Sequence, residues 1–306
     1  MNRERSRVLL TGASGALGSH VLDALRVLPN PPEIGVITRS AAQAAETRCF
    51  TGDFLDTAFT RSVLRDFKPE RVFHLAWETA HGSYWTSPAN ADWAAATLAF
   101  AHDYAGSGGH LTFAGTCAEY QWGGPLLTED ETEEAPHTLY GQEKQRTSRA
   151  LLALDSAGRL SVNCSRLFFP FSERENQARI TSLAVRYCLE GKPLHLRAGD
   201  VYRDMCHTRH VANALVRMSG ARACGLYNMA TGKPVHLGHF LQAVAAACGT
   251  PGLVSFDPWT VRNGETTEPE VLAGSPLRAA PYLHAPTDPT SDIAAFVAAS
   301  KARFQG

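Results

Sequence analysis

Val8-Leu-Leu-Thr-Gly12-Ala-Ser-Gly15-Ala-Leu-Gly18-Ser-His-Val-Leu-Asp-Ala-Leu25 decides how this chain of 306 residues is read. Residues 7–10 are a short apolar run of strand type, and three glycines follow it at positions 12, 15 and 18. Leu17, Val21, Leu22, Leu25 and Leu28 then recur at helical spacing until Pro29 stops the run. A second strand is predicted at residues 34–38, Ile-Gly-Val-Ile-Thr. Strand, glycine turn, helix and strand make the first βαβ unit of a dinucleotide-binding fold. Gly12 takes backbone angles that a side chain forbids. Gly15 lets the main chain approach a pyrophosphate, and Gly18 lets the helix pack close on the strand. The anion then rests on the free N–H groups at the helix start. Gly12, Ser14, Gly15, Ala16, Leu17 and Gly18 are therefore the expected cofactor cradle.

The alternation continues downstream. Residues 48–50 read as a strand leading through Gly52-Asp53-Phe54-Leu55-Asp56 into a helix that ends near Phe67. Residues 71–76 are a fourth strand, 88–105 an alanine-rich helix, and 110–114 a fifth strand running into Gly115-Thr116-Cys117-Ala118-Glu119-Tyr120. Strands spaced by helices of this length imply an α/β fold with a doubly wound parallel sheet, its ligands at the carboxyl ends of the strands. The five acids between Thr128 and Glu134 read as a solvated loop. Prolines interrupt the tail, where only residues 291–304 look helical. The expected layout is a dinucleotide-binding Rossmann domain over residues 1–168, rejoined by about 200–230. A smaller C-terminal substrate-binding lobe is expected from 169–199 and 231–306.

Composition narrows the function classes. Hydrophobic residues make up 44% and charged ones 19%, a globular balance that excludes a disordered or fibrous chain. Lys and Arg number 29 against 30 Asp and Glu, so no global field draws nucleic acid or an anionic membrane. No apolar stretch approaches the ~20 residues of a membrane span, and the apolar segment near the start is too short for a secretory signal. A soluble, cytoplasmic protein is expected. The seven scattered cysteines include no Cys-x-x-Cys pair and read as reduced thiols. Two His-x-x-His pairs, His207/His210 and His236/His239, lack a third ligand at credible spacing, so no metal is expected.

Tyr140-Gly-Gln-Glu-Lys144 heads a helical stretch that reaches about Leu154. Residues four apart share a helix face, so Tyr140 and Lys144 project together. A phenol with a pKa of about 10 is a poor acid–base group at neutral pH. An ammonium beside it favours the phenolate and lowers that value. Thr116, at the end of the fifth strand, offers a hydroxyl to the substrate oxygen that Tyr140 protonates.

With these residues in place, the chain resembles the extended short-chain dehydrogenase/reductases, in their NAD(P)-dependent nucleotide-sugar epimerase/dehydratase/reductase branch. The motifs occur in the family's order: residues 11–18, Gly52-Asp53, His74-Leu75-Ala76, Thr116, and Tyr140-x-x-x-Lys144. Residues 202–212 resemble the family's arginine-aspartate strand, and residues 226–235 its late strand and turn. Together they cover about residues 7–250. The resemblance implies that Tyr140 is the acid–base, that Lys144 binds the nicotinamide ribose and tunes Tyr140, and that Thr116 binds the reacting carbonyl or hydroxyl. It places Asp53 at the adenine with Phe54 beside it, and Leu75 and Ala76 along the cofactor's middle. Arg203 matches the arginine that pairs with the substrate pyrophosphate, a task suited to a planar fork. Asn176 and Arg262 are candidates for the same pocket. Trp77, Glu78, His81, Cys117, Glu119, Tyr120 and Trp122 are positioned to shape the sugar site. A homodimer, paired through helices that include the one bearing Tyr140, is a further implication.

Three departures from the family pattern bear on the reaction. The family's 4,6-dehydratases carry an Asp-Glu pair directly after the active-site threonine, where this chain has Cys117 and Ala118. Its NAD users end the second strand with an acid for the ribose hydroxyls, where this chain has Thr38-Arg39-Ser40. Arg39 suits a 2′-phosphate, so NADP(H) is preferred to NAD(H). The family's supporting asparagine is missing from residues 92–97. The reading reached is NADPH-dependent reduction of a nucleotide-diphosphate 4-keto-(deoxy)sugar. The alternative is an NAD-retaining nucleotide-sugar epimerase, with Cys117 or His81 as its extra base. A 4,6-dehydratase and a non-catalytic dinucleotide-binding protein rank below both. The intact Thr116, Tyr140 and Lys144 set argues against the last.

Overall fold

The computed structural model describes residues 5–40, 47–80, 82–124, 126–258, 269–286 and 288–305. The first half contains β1 (Arg7–Thr11), α1 (Ala16–Arg26), β2 (Glu33–Thr38), β3 (Arg48–Thr51), α2 (Thr57–Phe67), β4 (Arg71–His74), α3 (Ala89–Tyr104), β5 (His110–Thr116) and α4 (Leu139–Ser156). There follow β6 (Ser161–Leu167), β7 (Phe169–Phe171), α5 (Ile180–Leu189), β8 (Leu194–Leu196), β9 (Tyr202–Arg203), β10 (Met205–His207) and α6 (Thr208–Gly220). The chain closes with β11 (Gly225–Met229), β12 (Val235–His236), α7 (Leu237–Cys248), β13 (Val254–Phe256), β14 (Val271–Leu272) and α8 (Ile293–Gln305). None of the described helices is long and apolar enough to cross a membrane.

Seven strands form one parallel sheet in the order β11-β6-β5-β4-β1-β2-β3. The chain starts at β1, moves outward to β3, and returns to the other side of β1 at β4. That reversal opens a crevice at the carboxyl ends of β1 and β4. Helices cover both faces, so neighbouring residues of one strand enter different cores. Leu9 and Val72 pack with α2, α3 and α4, whereas Val8, Leu10 and Phe73 pack with α1 and α6. A third core gathers Phe171, Val185, Phe240 and Phe296 from β7, α5, α7 and α8.

The segment read from sequence as an arginine-aspartate strand divides into two short strands around Asp204. Its buried carboxylate accepts the N–H of Thr231 at 2.8 Å, the Thr231 hydroxyl at 2.6 Å and the N–H of Gly232 at 2.9 Å. One acid thus fastens the turn after β11 to the strand pair that precedes α6. Both His-x-x-His pairs also have a local explanation. His207 N-caps α6 and His236 N-caps α7, each accepting a backbone N–H through Nδ1.

The carboxyl end of β4 is fixed by a relay of hydrogen bonds. Thr11 Oγ1 accepts the N–H groups of Leu75 and Ala76, both at 3.2 Å, and lies 2.8 Å from His74 Nδ1. His74 Nε2 lies 2.8 Å from Thr97 Oγ1, whose hydroxyl already donates to the Trp93 carbonyl. The Thr97 oxygen must therefore accept, which puts the imidazole proton on Nε2 and leaves Nδ1 to accept from Thr11. Thr97 closes the stretch in which the family pattern has its asparagine, and here it supports the crevice through His74.

Burial holds the His74 imidazole far below its ordinary value, at about 3. An unfolded histidine takes up a proton near pH 6.5. Between those values the unfolded chain binds more protons than the folded one, so stability falls as pH falls through that window. Urea denaturation between pH 7 and 4.5 is expected to show a steeper loss for the wild type than for His74→Asn. The difference approaches about 1.4 kcal/mol per pH unit at the acid end. Equal slopes in the two proteins contradict the relay.

Candidate active site

The glycine turn between β1 and α1 is bare backbone packed to its limit. Gly12 sits at φ +73°, and a Cβ there would lie 2.7 Å from the Ala76 nitrogen. A Cβ on Gly18 would lie 2.0 Å from the Gly12 carbonyl oxygen. Gly15 is the N-cap of α1, and no side chain caps that helix. The N–H groups of its first turn therefore face the crevice without a side-chain acceptor, which fits a pyrophosphate. Ser14 is exposed beside them, Ala16 and Leu17 are half-buried, and Leu75 and Ala76 form the opposite wall. Asp53 is exposed just beyond β3, its carboxylate accepting the N–H of Leu55. Phe54 is buried rather than open to the crevice, stacked 4.4 Å from the His74 ring. Arg39 is exposed directly after β2.

The three residues read as catalytic converge from β5 and α4. Thr116 ends β5, buried, and its hydroxyl accepts the Ala118 N–H at 3.2 Å. Tyr140 opens the first turn of α4 and hydrogen-bonds Thr116. The next residue, Gly141, is required by contact: a Cβ there would lie 2.3 Å from the Ala118 carbonyl oxygen. Tyr84 and Trp85 stand edge-on to the Tyr140 ring at 5.0 and 5.5 Å, and the Trp85 carbonyl accepts the Tyr140 N–H. Lys144, one turn on, is buried. Its Nζ donates to the Ala114 carbonyl at 2.7 Å and lies 3.8 Å from the Trp77 ring centroid and 6.0 Å from that of Tyr140. Trp77 is held in turn by its indole N–H on Asn90. Trp77 was read as part of the sugar site; the folded chain sets it against the lysine.

The electrostatics differ from the reading of the sequence. Burial pushes the Tyr140 phenol above its ordinary value, and the hydrogen bond with Thr116 opposes this only in part. Burial also lowers Lys144, to about 7, although the Glu119 carboxylate pulls the other way. Desolvation thus outweighs the attraction between ammonium and phenolate that the four-residue spacing implies. The phenol is held in its protonated form.

Beneath this group lies a buried ion network that the motifs did not reveal. The Thr116 N–H donates to Glu119 Oε1 at 2.8 Å, and Arg166 Nε donates to Glu119 Oε2 at 2.9 Å. Arg166, on the neighbouring strand β6, is 1% exposed and Glu119 0%, so each charge depends on the other. Arg166 reaches on to Glu134, which also accepts from Arg149. The acidic run at 128–134 is therefore not simply a solvated loop, because Glu134 pairs with the buried arginine behind Thr116. The same run supplies Glu129, whose carboxylate accepts the Asn228 N–H. Tyr120 lies under the Arg166 guanidinium at 4.1 Å and donates its hydroxyl to Asn228.

The substrate candidates are more scattered. Cys117 is buried beside Thr116, and its carbonyl accepts the Trp122 indole N–H. Glu78 turns back to accept the Ala80 N–H. Arg203 is buried on β9, where Nη1 donates to the carbonyls of Tyr202, Pro269 and Glu270 and the guanidinium lies over Phe169. Asn176 is exposed in the turn before α5, accepting the Ala178 N–H. His81 and Arg262 lie outside the described residues. His20, Glu173 and His207 bring ligand atoms within 4.8 Å of one another. His207 Nδ1 accepts the Arg209 N–H, so its Nε2 carries a proton toward Glu173, 3.2 Å away. That arrangement is a hydrogen-bonded set as it stands.

Comparison with known proteins follows the same lines. The model of the NAD dependent epimerase/dehydratase family matches residues 8–230, and the chain belongs to that family. No curated protein sequence matches it. Among solved structures, MoeE5 in complex with UDP-glucose and NAD is 23% identical, with a TM-score of 0.81 over 98% of this chain and 100% of that one. The UDP-glucose 4-epimerase of Thermus thermophilus, in complex with NAD, is 22% identical, with a TM-score of 0.81 over 96% and 99%. The dTDP-glucose 4,6-dehydratase of Bacillus anthracis, also with NAD, is 16% identical at a TM-score of 0.81 over 98% of each chain. At these identities the likeness is one of fold.

The buried network makes a direct prediction. Arg166→Met leaves Glu119 charged and unpaired, with an expected loss of about 3–5 kcal/mol in urea denaturation. Adding Glu119→Gln to that variant removes the stranded charge and recovers part of the loss. A loss below about 1 kcal/mol in the single variant contradicts the role given to the pair.

Proposed function

We propose that this member of the NAD dependent epimerase/dehydratase family is an NADPH-dependent reductase of a nucleotide-diphosphate 4-keto-(deoxy)sugar. One observation carries the reading: a phenol kept protonated by burial adjoins the Thr116 hydroxyl, and Glu119 is the carboxylate that acts on it. Cys117 and Ala118 follow Thr116, and the carboxylate of Glu119 is engaged by Arg166 and the Thr116 N–H. Such a site holds a proton that can pass to an oxygen only as negative charge develops on it, and it lacks the acid–base pair that elimination of water demands. The absence of an acid at Thr38-Arg39-Ser40 supports NADP(H), since Arg39 pairs with a 2′-phosphate.

The residues of the glycine turn and the start of α1 would hold the dinucleotide. When bound, its nicotinamide supplies the hydride. Thr116 and Tyr140 together present two hydroxyl groups to one carbonyl oxygen. As negative charge grows on that oxygen, Tyr140 gives up its proton, and the sugar carbonyl becomes a hydroxyl. The Lys144 ammonium stabilises the phenolate left behind. Trp77 and the Ala114 carbonyl restrict where that ammonium sits.

A second reading rests on the structural neighbours, several of which are epimerases or carry NAD with a UDP-sugar. In that reading NAD stays bound through a closed cycle of oxidation and reduction. Nicotinamide fluorescence titration with NADPH and NADH, and assay of what the purified protein releases on denaturation, separate the two. Clear NADPH preference with nothing released is expected. Firmly retained NAD overturns the reductase in favour of the epimerase. Tyr140→Phe is expected to bind NADPH normally and lose about two to four orders of magnitude in turnover. Undiminished turnover in that variant contradicts the role of the phenol.

A further inference from the structure

Lys144 is a buried amine, 3% exposed, and a buried cation sheds its proton unless an opposite charge stands near. Its Nζ rests on the Ala114 carbonyl and on the Trp77 and Phe113 rings, and no ion pair holds it among the described residues. The titratable groups packed about it come from four elements. His74 on β4 is held neutral by burial, burial pushes the Cys164 thiol on β6 up, and Tyr140 on α4 keeps its proton. Glu119, in the turn after β5, remains, and its carboxylate favours the ammonium.

The end of β5 brings the two charges together. Lys144 Nζ donates to the Ala114 carbonyl at 2.7 Å, and the Thr116 N–H, two residues on, donates to Glu119 Oε1 at 2.8 Å. A Cβ on Gly115, between them, would lie 2.7 Å from that same carboxylate oxygen. Arg166 does not use up the charge of Glu119, because it also faces Glu134. Arg149 reaches Glu134 too, but it is 62% exposed, where water weakens the pairing. One buried guanidinium against two carboxylates leaves negative charge over, and the ammonium of Lys144 is the buried cation beside it.

We propose that Glu119 is the countercharge of Lys144, a positioning residue that keeps the amine a cation while the phenol of Tyr140 gives up its proton. The effect on turnover rests on the reductase reading above; the effect on Lys144 does not. Trp77, whose ring centroid lies 3.8 Å from Nζ, reports the charge, since its loss changes the indole emission. Tryptophan fluorescence of the full chain is titrated against pH without substrate, in the parent, Trp77→Phe, Arg166→Met and Arg166→Met/Glu119→Gln. The parent shows a transition that Trp77→Phe lacks. Removing the carboxylate disfavours the ammonium, so in the double variant the transition moves to lower pH, by about one pH unit or more. Arg166→Met loses the same arginine but keeps the carboxylate, and its transition stays at or above the parent's. A merely structural role moves both variants alike, and that result overturns the proposal. So does a midpoint shared by parent and double variant, or the lack of any transition that depends on Trp77. If Arg166→Met fails to fold, Glu119→Gln alone must show the downward shift. With a nucleotide-diphosphate 4-keto sugar as substrate, the alkaline limb of turnover follows the fluorescence midpoint. A parent without turnover on such sugars, with the fluorescence shifts intact, overturns the reductase and upholds the countercharge.

Discussion

A buried carboxylate, Glu119, is the constraint on which the end of β5 and the head of α4 depend. One oxygen takes the Thr116 N–H and the other takes Arg166 from the neighbouring strand. With both groups out of water, the pair is favourable only in one geometry. That geometry fixes the turn after β5, and the turn in turn sets Ala118 against Gly141 at the head of α4. Tyr140 and Lys144 are therefore placed by a contact made below them. Their rotamers are further confined by Tyr84, Trp85 and Trp77.

Desolvation is the second consequence of the same packing. It raises Tyr140 and lowers Lys144, drawing the two groups toward their neutral forms. In the reductase proposed above, the neutral phenol gives up its proton only when charge develops on a nearby oxygen.

The alternation of strands and helices was legible because period and glycine placement are local properties. So were Thr116, Tyr140 and Lys144, whose spacing and motif context lie within short windows. The ion network was not, because Arg166 is 47 residues from Glu119 and 32 from Glu134. Only the parallel pairing of β5 with β6 brings Gly115 beside Arg166. The acidic run at 128–134 misled for the same reason, since charge density says nothing about a buried arginine across the sheet. His207 and His236 show the reverse case. Their His-x-x-His spacing invites a metal, yet each caps a helix through Nδ1 and turns Nε2 to a carboxylate distant in sequence, His207 to Glu173 and His236 to Asp200. The direction of the tyrosine shift was also beyond reach, because a helix-face argument contains the ammonium but not the burial.

The most direct measurement follows deuterium rather than rate. NADPH deuterated at the transferring position of its nicotinamide is incubated with the protein and a nucleotide-diphosphate 4-keto-6-deoxy sugar, and the product is read by mass spectrometry. The account predicts one deuterium on the former carbonyl carbon for each NADPH consumed. An isomerised sugar free of deuterium, formed with no net oxidation of NADPH, contradicts it.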